Sequence, residues 1–225
     1  MRTKTLLLGV AALAFGIYSS QAQNVYSQNV VGYVNVIVPQ APAWACAANP
    51  FDLDGVDNIT NVLANAPKGT TVELFSPATG FSTIVTRSAI NGSWSAAAAT
   101  TFIPPGVGFM IKCTTAYTNT FVGNVIPNSG GTNSLPLSAL TLQLIGSPTP
   151  YSGTLTNASD NGANSLNLGA TLPKNTQIQT YNNGFTLAAT KSAINGTWNA
   201  NPTLMPGQGF FVKPGSATNW QQTLP

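Results

Sequence analysis

The chain has 225 residues, 43% of them hydrophobic and only 6% charged, with 8 basic residues, 5 acidic residues and no histidine. Disorder goes with few apolar residues and high net charge, so this balance excludes a disordered polyelectrolyte. Ordinary globular proteins are roughly a quarter charged; here the surface has to be built from Ser, Thr, Asn, Gln and Gly, and the absence of histidine excludes Ser-His-Asp and Cys-His catalysis and His-ligated zinc.

Residues 1–22 read as a secretory signal: Arg2 and Lys4, an apolar run from Leu6 to Tyr18, then Ser20-Gln21-Ala22 with cleavage expected after Ala22. The run is too short to span a bilayer, and no later stretch approaches the roughly 20 apolar residues of a membrane helix. The expectation is a secreted protein, extracellular, periplasmic or on the cell surface. Two of the eight basic residues leave with the signal while all five acidic residues stay, which lowers the formal charge from +3 to +1. Lys68, Arg87, Lys112, Lys174, Lys191 and Lys213 are scattered, so no positive footprint for nucleic acid is expected. Weakly charged surfaces repel one another little, which suits self-association.

Residues 23–44 form an N-terminal strand segment, in which NVVGYVNVIVP puts Val30, Val34, Val36 and Val38 on one face by period two. A short helix is predicted near Asn58 to Ala64, with Ile59, Val62 and Leu63 at helical spacing behind a cap at Asp57. Strands are predicted at Thr70–Phe75, Phe81–Val85, Phe109–Cys113 and Thr120–Val125. Asn91-Gly92, Asn183-Gly184 and Asn195-Gly196 are tight-turn dipeptides. Much of this recurs. Gly80 to Trp94 matches Gly184 to Trp198 without a gap, PPGVGFMIK (104–112) answers MPGQGFFVK (205–213), and APKGTTVELF (66–75) answers LPKNTQIQTY (172–181). The expected organisation is unit 1 over 45–126, a linker or strand over 127–142, and unit 2 over 143–225. The fold class is all-β with one or two short helices, in two homologous β-sandwich or barrel-like units from an internal duplication. Units this small are expected to pack together.

Three elements carry a family resemblance: the entry strand Leu144-Ile145-Gly146-Ser147-Pro148, the central Trp198, and the late strand Leu204-Met205-Pro206-Gly207-Gln208-Gly209-Phe210-Phe211-Val212-Lys213. Together they resemble the tandem β-rich repeat modules of uncharacterised secreted and cell-surface bacterial proteins. Unit 1 departs from the pattern at Cys46-Ala47-Ala48-Asn49-Pro50 and at Ile103-Pro104-Pro105. The resemblance implies a β-rich extracellular module without known catalysis, and it brings no active site.

Few residues offer chemistry. Glu73 is the only glutamate, its strand alternates so that it points outward, and Gln179 stands near its counterpart. A carboxylate pair for hydrolysis is therefore not expected, nor is an enzyme. Asp52, Asp54 and Asp57 crowd oxygen ligands around Gly55, a pattern that suits calcium, but no bidentate glutamate follows; the other reading is a helix-capping turn. No cofactor is required. Cys46 and Cys113 are both present in unit 1 and their counterparts both absent from unit 2, which predicts a disulfide in an oxidising compartment; the alternative is two buried thiols. Trp94 and Trp198 each follow a turn at equivalent positions, where core packing competes with a sugar-stacking role. Asn58, Asn91, Asn157 and Asn195 open Asn-x-Ser/Thr triplets.

These readings favour a non-catalytic extracellular or surface structural protein. Its self partner would be reached by strand addition through residues 29–38, which could close unit 2 of the same chain or cap a neighbour. The alternative from another class is a module that binds carbohydrate, with surface polysaccharide as partner, or another surface.

Overall fold

The computed structural model describes residues 31–126, 132–155 and 166–223. The signal peptide expected at 1–22, residues 29 and 30 of the expected N-terminal strand, and Asn157 lie outside them.

The protein is all-β. In the first half, β2 (Ala45–Ala48), β3 (Thr71–Ser76), β4 (Gly80–Thr86) and β5 (Gly108–Lys112) form an antiparallel sheet of order β2-β5-β3-β4. A two-stranded ribbon of β1 (Val31–Val38) and β6 (Tyr117–Asn124) covers its inner face. In the second half, β8 (Gln143–Gly146), β10 (Gln177–Tyr181), β11 (Phe185–Thr190) and β13 (Gly209–Lys213) form a sheet of order β11-β10-β13-β8. The ribbon of β7 (Thr132–Leu137) and β14 (Thr218–Thr223) covers that one. The two sheets thus have the same connectivity. β9 (Gly153–Thr154) and β12 (Thr203–Leu204) pair as a short ribbon, and two four-residue helices, α1 (Ile59–Val62) and α2 (Leu168–Thr171), place Ile59 and Val62 in the first core and Leu168 in the second. No helix among the described residues is long and apolar enough to cross a membrane.

Alternation explains the packing. Along β1 the odd residues are exposed, while Val34, Val36 and Val38 face a core with Phe51, Val72, Phe109, Ile111 and Phe121. The second core holds Leu155, Leu166, Ile178, Phe210, Val212 and Trp220. Phe109 meets Phe121 edge-on at 6.3 Å between centroids, and Phe210 meets Trp220 at 5.9 Å, so the same layer is filled by an aromatic pair in each half.

Several sequence expectations change. The N-terminal strand does not close unit 2: it pairs along its whole described length with β6 of its own half, from Val31↔Asn124 to Val38↔Tyr117. β14 takes β7 as its partner instead, so the segment 127–142 contributes a structural strand, TNSLPL, which its proline hid from the pattern reading. The cap of α1 is Asn58, whose side chain accepts from Asn61 N; Asp57 turns inward.

The cysteines are not bonded. Cys46 stands opposite Met110 in the β2–β5 ladder and shares its face, the outer one, whereas Cys113 continues the Phe109 and Ile111 alternation into the first core. A sheet therefore separates the two thiols. Cys113 Sγ instead accepts from Thr70 Oγ1 at 3.3 Å.

The outer faces of the two sheets pack against each other. Phe75, Phe81, Phe185 and Phe211 form a ring cluster with centroids 4.5–6.2 Å apart, flanked by Met110, Leu144 and Cys46. The backbone seals the junction reciprocally: Ala48 N donates to Gly207 O at 2.9 Å, and Gly146 N donates to Gly106 O at 3.1 Å.

Candidate functional site

The repeated nonamer builds the same loop twice. Arg87 and Trp94 form an isolated bridge, as do Lys191 and Trp198. Between them Ser88 N donates to Ser93 O at 2.8 Å and Gly92 N to Ser88 O at 3.0 Å; Ser192 N donates to Thr197 O at 2.8 Å and Gly196 N to Ser192 O at 3.1 Å. Gly92 and Gly196 both have φ near +73 to +75, the left-handed conformation that Asn-Gly turns require. Each loop is pinned from below by a lysine, Lys68 Nζ on Ile90 O (3.0 Å) and Lys174 Nζ on Ile194 O (2.6 Å).

Trp94 and Trp198 are half-buried, each packed on the core of its own half. Arg87 Cζ lies 5.7 Å from the Trp94 centroid and Lys191 Nζ 5.8 Å from that of Trp198. These cations also serve carbonyls: Arg87 donates to the oxygens of Ala64, Ala66 and Gly92, and Lys191 to those of Gly169 and Leu172. Each tryptophan thus has a basic neighbour from its own chain over the ring, in the place a stacked sugar would compete for.

The acidic turn is organised by its own chain. Asp52 Oδ1 accepts from Gly55 N at 2.9 Å, Asp54 Oδ1 from Asn124 Nδ2 at 2.8 Å, and Asp57 Oδ1 from Leu53 N at 3.0 Å and Asn49 Nδ2 at 3.4 Å. Burial, reinforced by neighbouring Asp52, pushes the Asp57 carboxyl up to about 6. Among the described residues no three acidic or cysteine side chains converge to hold a metal ion. The support for calcium is the spacing Asp52, Asp54, Asp57 alone. Of the Asn-x-Ser/Thr positions, Asn91 and Asn195 are exposed on the loop tips, with their Oδ1 atoms accepting from Ser93 N and Thr197 N; Asn58 is engaged as the helix cap.

A groove of about 470 Å³ opens where the first half's ribbon meets the second half's turns. Asn35, Val36, Ile37 and Pro39 form one wall, Tyr181, Asn182, Asn183 and the Met205–Gln208 turn the other, and Trp44 and Cys46 contribute from β2. Among the described residues no charged side chain lines it. Gly207 lies close under β1: a Cβ there would meet Val36 Cγ2 at 2.7 Å and Val34 Cγ1 at 2.9 Å, so the close approach that shapes the groove needs glycine. Asn35 Oδ1 accepts from Thr120 Oγ1 (2.7 Å) and Gln208 Oε1 from Met205 N (2.9 Å). Trp44 carries Lys112 Nζ 4.2 Å from its ring centroid, and Tyr181 packs edge-on against Phe185 at 4.9 Å. Burial raises the Tyr181 hydroxyl above its ordinary range, which keeps it a proton donor.

Of the groove residues, the sequence singled out Cys46 for a disulfide, residues 29–38 for strand addition, Asn183 for a turn and Met205–Gln208 for the family resemblance, whereas Trp44, Tyr181 and Asn182 carried no role there. Comparing the halves position by position marks them: Tyr181 corresponds to Phe75, Trp44 to Leu142 and Gln208 to Val107. Comparison of the chain with family models, curated proteins and solved structures found no match.

Proposed function

We propose that this is a non-catalytic, secreted structural protein that associates with copies of itself through the β1–β6 ribbon. The observation that carries the reading is the outer face of that ribbon. Val31 (63% exposed), Tyr33 (72%) and Ile37 (77%) alternate along β1, and Val122 (51%) stands directly opposite Tyr33 on β6. Val31, Tyr33 and Val122 adjoin on one two-stranded face, with Ile37 beyond the polar Asn35–Thr120 pair, and clustered exposed apolar side chains mark interaction surfaces more often than isolated ones do. The octamer VGYVNVIV carries no charge, although edge strands are commonly protected by one. The secretory address and the likeness to secreted repeat modules point the same way.

Sedimentation velocity over a wide concentration range tests it. The wild type should show concentration-dependent oligomers, and Tyr33→Lys, which places a charge in this cluster without touching the core, should shift them to monomer. A wild type that stays strictly monomeric at the highest concentrations removes the reading.

The groove supports the second reading, a binder of neutral saccharide, because an uncharged cleft with amide and aromatic side chains suits polyhydroxyl ligands. Quenching or shift of tryptophan fluorescence across a panel of polysaccharides would favour it; Trp44 lines the cleft and would report.

A further inference from the structure

The two ribbons differ at their free edges. Among the described residues β1 pairs with β6 alone and β7 with β14 alone, so within them each leaves one edge without a strand partner. Both run exposed-inward-exposed and end on a buried residue, Val38 in β1 and Leu137 in β7. The residue before that end is Ile37 in β1 and Pro136 in β7. Proline has no N–H, so it fits the ladder only where its nitrogen points away from the partner strand, toward the free edge. The edge of β7 is thereby closed to an incoming strand at that position. The edge of β1, at the corresponding Ile37, keeps its donor.

The walls differ in the same direction. Beside the open edge stand Asn35, Trp44, Tyr181 and Gln208; the corresponding positions beside the closed edge carry Ser134, Leu142, Phe75 and Val107. Around the groove the side-chain amides of Asn35, Asn182, Asn183 and Gln208 donate to nothing else in the described chain, and neither do Trp44 Nε1 and Tyr181 OH. Unspent donors beside an open strand edge suit a peptide backbone. The aromatic rings suit a stacked sugar less well, since Lys112 lies over Trp44 and Phe185 packs against Tyr181.

From these asymmetries we infer that the groove is a strand-acceptor site, filled by residues 23–30 of a second copy of this chain pairing in extended form with the free edge of β1. This rests on the self-association proposed above and adds to the ribbon's outer face a second contact at the free edge of β1. The segment QNVYSQNV has neither charge nor proline, matching an uncharged groove in which a buried unpaired charge would be costly. It precedes β1 directly, and extended it spans roughly 26 Å at about 3.3 Å per residue, more than the Asn35–Pro39 wall requires. Filling its own groove would need a tight reversal at Asn29-Val30, which lacks the glycine such turns favour. Donation from one copy to the next is head-to-tail, and it builds open chains unless the rotation closes a ring.

The test uses the full secreted protein and the capped peptide QNVYSQNV, labelled for fluorescence anisotropy and unlabelled for sedimentation. The peptide should bind saturably, shift oligomers toward monomer, and bind at least tenfold more weakly to Ile37→Pro, which gives β1 the residue β7 carries. Tyr181→Phe/Gln208→Val, borrowing the residues of the other half, should weaken it severalfold with an unchanged circular dichroism spectrum, so that the result holds even if Ile37→Pro disturbs the ribbon. Binding no tighter than that of a scrambled peptide overturns the site, as does displacement of the peptide by cello- or chito-oligosaccharides. A protein that self-associates through Tyr33 while Ile37→Pro assembles unchanged overturns the site and leaves the reading above in place. A strictly monomeric protein overturns both.

Discussion

At Asp57 a single carboxyl combines structural and electrostatic roles. It is 4% exposed, and it accepts from Leu53 N and Asn49 while Asp52 stands beside it. Its pKa is raised from 3.8 to about 6, so the folded protein holds this proton more tightly than the unfolded chain. The stability associated with it is fully present below pH 3.8 and is lost as pH rises through 6. Asp57→Asn keeps an acceptor for both donors and removes the charge. Thermal melts should show the wild type losing stability relative to Asp57→Asn between pH 4 and 7, with the two converging at low pH; parallel curves across that range would contradict the account. The local pattern was only partly legible here. A helix start near residue 58 showed in the sequence, but the choice between Asp57 and Asn58 as cap depended on which side chain the fold buries.

At the scale of elements, the cysteines show how a ladder settles what spacing leaves open. Period two turns Cys46 with Met110 to the outer face and Cys113 with Ile111 to the core. Bringing them together would need a one-residue slip of β2, which would turn every side chain of that strand to the wrong side. Burial also pushes the Cys46 thiol up to about 12, so little reactive thiolate forms near neutral pH. Alkylation of the native protein at pH 8 should therefore leave both cysteines unmodified, denaturation should expose two thiols per chain, and reductant should leave the mass unchanged. A mass gain of two hydrogens on reduction would restore the disulfide.

For the whole molecule, the decisive feature is the junction between the sheets. A Cβ on Gly146 would overlap Ala48 Cβ and come within 2.9 Å of Gln208 O, at the contact of the two halves. Gly146→Ala should cost roughly 1–3 kcal/mol by overpacking, lowering the melting midpoint by several degrees for a chain of this size. Ala48→Gly in the same chain should recover most of it, since the overlap is with that methyl. Equal losses in the single and double variants would show that the junction does not carry the strain. The same junction aligns the β1 edge with the Tyr181 and Met205 turns and so creates the groove.

The sequence by itself determined the strand content, the recurrence of one pattern and the face of β1 that turns inward. Those are local properties: alternation of side chains, turn dipeptides and repetition are written within a few residues of each other. Only the tertiary structure decided that β1 pairs with β6, that the cysteines lie on opposite faces of a sheet, and that Trp44 and Tyr181 border one groove. Each of these depends on register and on which surfaces meet, and residues as far apart as Val38 and Tyr117 or Trp44 and Tyr181 are brought together by burial that no short window of sequence expresses.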